Sequence, residues 1–114
     1  MKHSVVIPAH NEADVIGPTV SKLIERLEPE QIDYEVIVVD DASADGTAQV
    51  LAQHAAHNPR IRCVRNDGPR GFGYAVRRGL EVFTGDAVAI MMADGSDNPR
   101  DVILYYRVLE AGYD

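Results

Sequence analysis

The chain has 114 residues, of which 46% are hydrophobic and 25% charged, values typical of one globular domain. Its formal net charge is −7, which argues against nucleic-acid binding, because such proteins carry a basic surface. The longest apolar run, residues 87–93, is too short to cross a bilayer. The single cysteine, Cys63, excludes an intrachain disulfide and is predicted to be a buried structural residue within a strand.

Four short apolar runs rich in Val and Ile predict buried strands, at residues 4–8, 34–39, 61–64 and 87–92. Because they do not alternate with polar residues, they fit a parallel sheet covered on both faces. Segments with helical periodicity follow each strand, at residues 13–27, 46–57, 74–83 and 99–111. This alternation predicts an α/β fold with a doubly wound, mainly parallel sheet and helices on both faces.

Polar residues and glycines follow all four predicted strands, at residues 8–12, 40–47, 66–73 and 93–99. In open sheets of this kind, ligands bind beyond the carboxyl ends of the strands. Four such clusters at one edge of the sheet therefore predict a binding site there.

Asp40 and Asp41 come at the end of the second strand, where adjacent side chains point to opposite faces. One carboxylate can face the crevice and accept hydrogen bonds from a nucleoside, while the other braces the next loop. The alternative is that both start a turn and cap the following helix.

Gly71 and Gly73 precede the third helix, where glycine permits close approach and a helix N-terminus favours anions. Arg70, Arg77 and Arg78 add positive charge, and six of the nine arginines lie within residues 60–78. The alternative is a tight loop beside a solvated arginine face. The dinucleotide fingerprint G-x-G-x-x-G does not fit, since the segment follows the third strand and has a valine at the last position.

Asp94 and Asp97 lie in the short loop after the fourth strand. Two nearby carboxylates suit a hard divalent cation that shares its ligands with a diphosphate. The alternative is that Asp97 or Asn98 caps the helix that begins near Pro99. The loop alone does not decide between these interpretations.

Taken together, four segments resemble the family-2 glycosyltransferases, and within them the dolichol-phosphate or polyprenyl-phosphate hexosyltransferases. The matching text is SVVIPAHNE (4–12), VVDDASADGT (38–47), RGFGYAVRRGL (70–80) and MMADGSDNP (91–99). Order and spacing also match over nearly the whole chain, and the first two segments together are specific.

The resemblance implies a GT-A fold and transfer of a hexose, with inversion, from a UDP- or GDP-linked sugar to an acceptor such as a polyprenyl phosphate. It implies a cytoplasmic location, peripheral at the inner face of the membrane. In the implied nucleotide site Asp41 binds the base, Asp40 supports its loop, and the remaining contacts come from Pro8, Ala9, Glu12, Arg70, Gly71 and Gly73.

The same resemblance places Asp94 on the second position of the family's D-x-D metal motif, but Met92 occupies the first. A thioether does not replace a carboxylate for Mg²⁺ or Mn²⁺. Either Asp94, helped by Asp97, holds the metal together with the donor phosphates, or metal dependence is weaker than in the family.

Relatives continue past a Gly-Tyr-Asp like residues 112–114 into a further strand. We therefore expect residues 1–114 to form the nucleotide-sugar-binding part of the domain, with the acceptor-binding half and any catalytic base beyond residue 114. Such a part is expected to be inactive alone. Its uncovered sheet edge and apolar face predict either self-association or an altered packing of the fourth helix.

Three other classes of function compete with this one. A non-catalytic nucleotide-binding module fits the same residues. A signalling receiver domain needs an acidic pair after the first strand, where this chain has Pro8 and Ala9. A dinucleotide dehydrogenase needs a glycine fingerprint at that same place, which the chain lacks.

Overall fold

The computed structural model describes residues 1–112, so part of the Gly-Tyr-Asp segment lies outside the described residues. All the predicted strands and helices are present, with ends shifted slightly, and one short 3-10 turn is added. In chain order they are β1 (Lys2–Ala9), α1 (Ile16–Leu27), the turn Glu28–Glu30, β2 (Asp33–Asp40), α2 (Thr47–His57), β3 (Ile61–Arg65), α3 (Phe72–Val82), β4 (Ala87–Ile90) and α4 (Pro99–Glu110).

The four strands form one parallel sheet in the order β3-β2-β1-β4. The register pairs Ala9 of β1 with Asp40 of β2, so both strands end at the same level. The Asp41 amide continues the ladder by donating to the Ala9 carbonyl at 2.8 Å. The loops that follow β1 and β2 therefore start side by side.

Helices cover both faces of this sheet, which confirms the predicted fold class. On one face α1, α2 and α4 share a hydrophobic cluster with side chains of β1 and β2, including Val5, Ile7 and Val36. On the other face α3 packs through Ala75 against Val6 and neighbouring side chains.

Helix α3 lies very close to the sheet because residue 79 is a glycine. A Cβ atom at Gly79 would overlap the Val6 side chain and would come within 3.3 Å of Val39 Cγ2. A larger residue would therefore push α3 away from β1 and β2. Since the loop before α3 reaches the carboxyl end of the sheet, this packing also sets the position of that loop.

β4 is present, but it is shorter and less buried than the strand predicted over residues 87–92. The strand ends at Ile90 and is only partly buried, because it lies at the edge of the sheet. Ile90 and Met92 remain 39% and 41% exposed. Self-association through this edge stays a prediction.

The prediction that Cys63 is buried was wrong. β3 is the other edge strand, and Cys63 is exposed there. Partial desolvation raises the pKa of the Cys63 thiol, and the negative charge of Asp40 raises it further. The thiol is therefore not activated as a nucleophile.

Within residues 1–112, every helix is too short or too polar to span a membrane.

Candidate functional site

A cavity of about 190 Å³ opens where the carboxyl ends of the four strands meet. Its walls come from the segments that follow all four strands. The lining residues are Pro8, Ala9, His10, Glu12, Asp41, Arg70, Gly71, Phe72, Met92, Ala93 and Asp94. Of the ten residues predicted for the nucleotide and metal sites, the structure brings Pro8, Ala9, Glu12, Asp41, Arg70, Gly71 and Asp94 together here.

The segment after β1 forms one wall, and its backbone is held from two sides. The Glu12 amide donates to Thr47 Oγ1 at 3.0 Å, and the Glu12 carbonyl accepts from the Ile16 amide at 2.8 Å. These bonds fix the backbone of Glu12 between α1 and the start of α2. Its carboxylate is then available to the cavity.

Asp41 is the most constrained carboxylate of the cavity, at only 5% exposure. Its Oδ1 accepts from Asn66 Nδ2 at 2.9 Å, and its Oδ2 accepts from the Gly71 amide at 2.9 Å. A carboxylate offers about four acceptor sites, so both oxygens can still accept hydrogen bonds from a ligand. The side chain is therefore oriented before any ligand arrives.

Asn66 is a residue whose role the sequence reasoning missed. It is 7% exposed and donates both to Asp41 and to the Pro69 carbonyl, the latter at 3.0 Å. Its Oδ1 accepts from the Gly68 amide at 3.3 Å. A buried amide must find such partners. The sequence signal for this role was an asparagine directly after a strand whose end lies at the predicted site.

Asp40 does not line the cavity. It is 9% exposed, and its Oδ1 accepts from the Ser43 amide at 3.1 Å. The two adjacent carboxylates thus point to different surroundings, because successive side chains of a strand alternate between faces. Asp40 contacts its own loop, while Asp41 faces the cavity.

Gly73 also lies outside the cavity, since α3 starts at Phe72 and places Gly73 in its first turn, exposed to solvent. Gly71 is the glycine that the loop requires, because its φ of 146° is a conformation that other residues rarely adopt. Phe72, which the sequence reasoning did not select, lines the cavity and is 54% exposed.

Asp94 and Asp97 line different hollows. Asp94 borders the cavity, and its hydrogen bonds with Ser96 lower the pKa of its carboxyl group. Asp97 instead accepts from the Met92 amide at 2.7 Å and lines a separate hollow beside Lys22.

The helix-capping alternative holds for this loop, since Asn98 Oδ1 accepts from the Arg100 amide at 3.0 Å at the start of α4. Across the described part of the chain, no three His, Cys, Asp or Glu side chains are grouped so that they could hold a metal ion.

The charges around the cavity set a condition on its ligand. Three carboxylates line it, those of Glu12, Asp41 and Asp94, against the single guanidinium of Arg70. An anionic group such as a diphosphate would be repelled by this surplus of negative charge. It would therefore enter together with a cation.

A doubly wound parallel sheet with a polar cavity beyond its strand ends is the architecture of nucleotide-binding α/β proteins. Comparison with known proteins defines the class further. Residues 4–114 match the family model described as glycosyl transferase family 2. The chain therefore belongs to glycosyl transferase family 2, and the predicted family is confirmed.

Curated relatives share this family. An uncharacterized glycosyltransferase of Bacillus subtilis, YkcC, is 29% identical over 116 residues, which cover all of this chain and 35% of the relative. An undecaprenyl-phosphate 4-deoxy-4-formamido-L-arabinose transferase of Edwardsiella ictaluri is 32% identical over 97% of this chain and 34% of its own length. The chain thus spans about a third of the length of these relatives.

Solved structures agree on the fold. The mannosyltransferase PcManGT of Pyrobaculum calidifontis, in complex with GDP-Man and Mn²⁺, matches with a TM-score of 0.72 and 33% identity over 81% of this chain and 27% of its own. The glucosyl-3-phosphoglycerate synthase of Mycobacterium tuberculosis, in complex with Mn²⁺, UDP and phosphoglyceric acid, matches with a TM-score of 0.73 and 30% identity. The match covers 95% of this chain and 38% of the synthase. The chain therefore has the GT-A architecture of these transferases.

Proposed function

We propose that the cavity at the carboxyl end of the sheet binds the nucleotide of a UDP- or GDP-linked sugar, and that the whole protein transfers the hexose with inversion. One observation carries the proposal. A single cavity collects residues from all four strand ends, and it contains a buried, pre-oriented carboxylate, Asp41, with hydrogen-bonding capacity left for a ligand.

In this proposal Asp41 accepts hydrogen bonds from the base, and Pro8, Ala9 and Glu12 form the wall beside it. The loop of Arg70 and Gly71 closes over the nucleoside. Asp40 and Gly73 contribute through the loop and helix that they belong to, since neither lines the cavity.

The described residues fit a divalent cation through one exposed carboxylate, that of Asp94. Mg²⁺ is often held by one or two carboxylates together with substrate phosphates, so Mg²⁺ or Mn²⁺ would take its remaining ligands from the donor. The cation would offset the negative charge of the leaving diphosphate. Because Met92 provides no hard ligand, metal and nucleotide should bind together more tightly than either binds alone.

For the acceptor we propose a polyprenyl phosphate at the surface of the membrane, on the cytoplasmic side. The name of the Edwardsiella relative, an undecaprenyl-phosphate transferase, supports this class. A phosphate acceptor is already anionic, so the reaction would need no strong general base. The greater length of the relatives supports an acceptor-binding half beyond residue 114.

Titration calorimetry with UDP and with GDP, each with and without Mn²⁺, tests the nucleotide site. We expect one of the two nucleotides to bind, and to bind more tightly with the metal. Absence of binding by both nucleotides under all conditions would contradict the proposal.

A non-catalytic nucleotide-binding module is a second candidate, favoured by Met92 at the position of a metal-binding aspartate. An assay of sugar transfer to polyprenyl phosphate by the whole protein separates the two candidates. Nucleotide binding without transfer of any UDP- or GDP-linked hexose would favour the module.

A further inference from the structure

A chain of side-chain hydrogen bonds joins the loop after β1 to the loop after β2. His10 Nδ1 lies 2.7 Å from the Asp41 carbonyl oxygen. Because that oxygen only accepts, Nδ1 carries the proton, and Nε2 is left as an acceptor. Asn11 Nδ2 lies 3.2 Å from Nε2 and donates to it.

Asn11 extends the same network to the far side of the second loop. Its Oδ1 accepts from the Ala44 amide at 2.7 Å, and its own amide donates to Ser43 Oγ at 2.9 Å. The side chains of His10 and Asn11 therefore hold the backbone of residues 41–44 at two points, the Asp41 carbonyl and the Ala44 amide, while the backbone N–H of Asn11 binds the Ser43 side chain. We call these two side chains the loop clamp.

The backbone that the clamp holds is strained. Asn11 has a φ of 53° and Ala42 a φ of 56°, in the left-handed region that costs an alanine about 1–2 kcal/mol. Such conformations persist where the surroundings fix them. Ala42 directly follows Asp41, so the strained conformation lies next to the buried carboxylate of the cavity.

His10 is not explained as a core residue. It is half-buried and belongs to neither hydrophobic cluster of the sheet, yet it is one of the residues that line the cavity. Asp41 is thus held at both ends, through its carboxylate by Asn66 and Gly71 and through its carbonyl by His10.

We propose that His10 is a positioning residue for nucleotide binding, which acts by orienting Asp41 through its backbone carbonyl. The inference rests on the proposed nucleotide site and deepens it. The proposed role of His10 requires the N–H donor at Nδ1, not the size or charge of the ring.

Two substitutions at His10 separate these properties. His10→Phe keeps the ring volume and removes the donor, and His10→Asn places an amide N–H near the position of Nδ1. We expect the dissociation constant for the bound nucleotide to rise about tenfold in His10→Phe, as for a lost hydrogen bond, and to return within about threefold of wild type in His10→Asn.

The matched control is His57→Phe, because His57 Nδ1 also lies 2.7 Å from a backbone carbonyl, that of Gln53, on the exposed side of α2. This variant should bind as wild type. Where His10→Phe does not fold, Asn11→Gly serves instead. It keeps the left-handed backbone, removes the side chain of the clamp and should also weaken binding.

Nucleotide binding unchanged in both His10→Phe and Asn11→Gly, or His10→Asn as weak as His10→Phe, would overturn the proposal. Amide hydrogen exchange separates this failure from failure of the nucleotide site itself. If neither UDP nor GDP binds the wild type, the Ala44 amide should still exchange about tenfold faster in His10→Phe and at a near wild-type rate in His10→Asn. Equal exchange in all three proteins would then refute the clamp.

Discussion

Two buried carboxylates lie at opposite ends of β2 and differ in what surrounds them. Glu35 lies near the amino end of the strand and is 4% exposed, and Asp41 follows its carboxyl end and is 5% exposed. Burial does not distinguish them. They differ in the number of hydrogen-bond donors that each carboxylate already has.

Glu35 accepts hydrogen bonds from four protein donors. Its Oε2 accepts from Ser4 Oγ at 2.6 Å, from the Thr84 amide at 2.6 Å and from Thr84 Oγ1 at 3.0 Å. Its Oε1 accepts from Arg62 at 3.1 Å. Burial would raise the pKa of Glu35, but these bonds outweigh it and hold the pKa at about 2.

Asp41, by contrast, has two protein donors and borders a cavity. The Glu35 carboxylate, with four donors, is engaged mainly by the fold, while the Asp41 carboxylate, with two donors, has more capacity left for a ligand. Remaining hydrogen-bonding capacity therefore separates a structural carboxylate from a binding one in this sheet.

The largest expected effect is on stability and concerns Glu35, the structural carboxylate. Glu35→Ala should lower the free energy of unfolding by about 3 kcal/mol, because it leaves buried donors of Ser4 and Thr84 without a partner. Urea denaturation measures this, with the exposed carboxylate of Glu81 as control in Glu81→Ala. Equal stability of the two variants would contradict the comparison.

The same carboxylate predicts a pH dependence. The pKa of Glu35 in the folded state, about 2, is below its ordinary value of 4.5, so the unfolded state takes up the proton first. Its contribution to stability is complete above about pH 4.5 and is lost as the pH falls toward 2. In Glu35→Gln this part of the acid destabilisation should disappear from a series of denaturation curves.

At the binding end, Asp41→Asn should weaken nucleotide binding about 10- to 100-fold, since it removes charge-assisted hydrogen bonds to the ligand. The loss of unfolding free energy should be smaller than for Glu35→Ala, because Asn keeps one acceptor oxygen. Calorimetry and urea denaturation of the same preparations measure both. A variant that binds normally but is strongly destabilised would reverse the assigned roles.

Met92 offers a gain of function beside the same cavity. Met92→Asp supplies a second hard ligand near Asp94 and should raise the affinity for Mn²⁺ in the absence of nucleotide by about tenfold. Electron paramagnetic resonance of free Mn²⁺ measures this, with Met92→Leu as the control for the loss of the thioether. Equal Mn²⁺ binding by the aspartate and leucine variants would contradict the assigned place of the metal.

His3 extends the comparison to a buried polar side chain that has no hydrogen-bond partner among the described residues. It is 1% exposed, packs against the Tyr106 ring, and neither ring nitrogen has a hydrogen-bond partner among residues 1–112. Replacement by an apolar residue, His3→Leu, should therefore raise the free energy of unfolding by about 1 kcal/mol.

Burial lowers the pKa of His3 below its ordinary 6.5, so the unfolded state binds a proton more readily than the folded state. This histidine therefore destabilises the fold as the pH falls below about 6.5, by up to about 1.4 kcal/mol per pH unit. Denaturation curves of His3→Leu should lack this slope, and an unchanged slope would contradict the assignment.

The alternation of strands and helices could be predicted from the sequence because continuous apolar runs and helical periodicity are local signals. The exposure of Cys63 and Ile90 could not, since it depends on which strands lie at the edges of the sheet. An apolar strand at the edge of a sheet and one at its centre look alike in the amino-acid sequence.

Some features of the site could likewise be predicted from the sequence, and others could not. Polar residues after each strand could be predicted to meet, because parallel strands present their carboxyl ends at one edge. The roles of His10 and Asn66 could not, since their partners lie 31 and 25 positions away in the chain. The separation of Asp94 from Asp97 depends on how one loop turns, which residue spacing does not fix.

The most direct test is nuclear magnetic resonance of the ¹⁵N-labelled protein titrated with UDP and with GDP in the presence of Mg²⁺. We expect shifts in the amides of Ala9, Glu12, Asp41, Gly71 and Asp94 and none in those of Glu35 and Thr84. Shifts confined to the amino end of the sheet, or spread evenly over both ends, would contradict a nucleotide site at the carboxyl end.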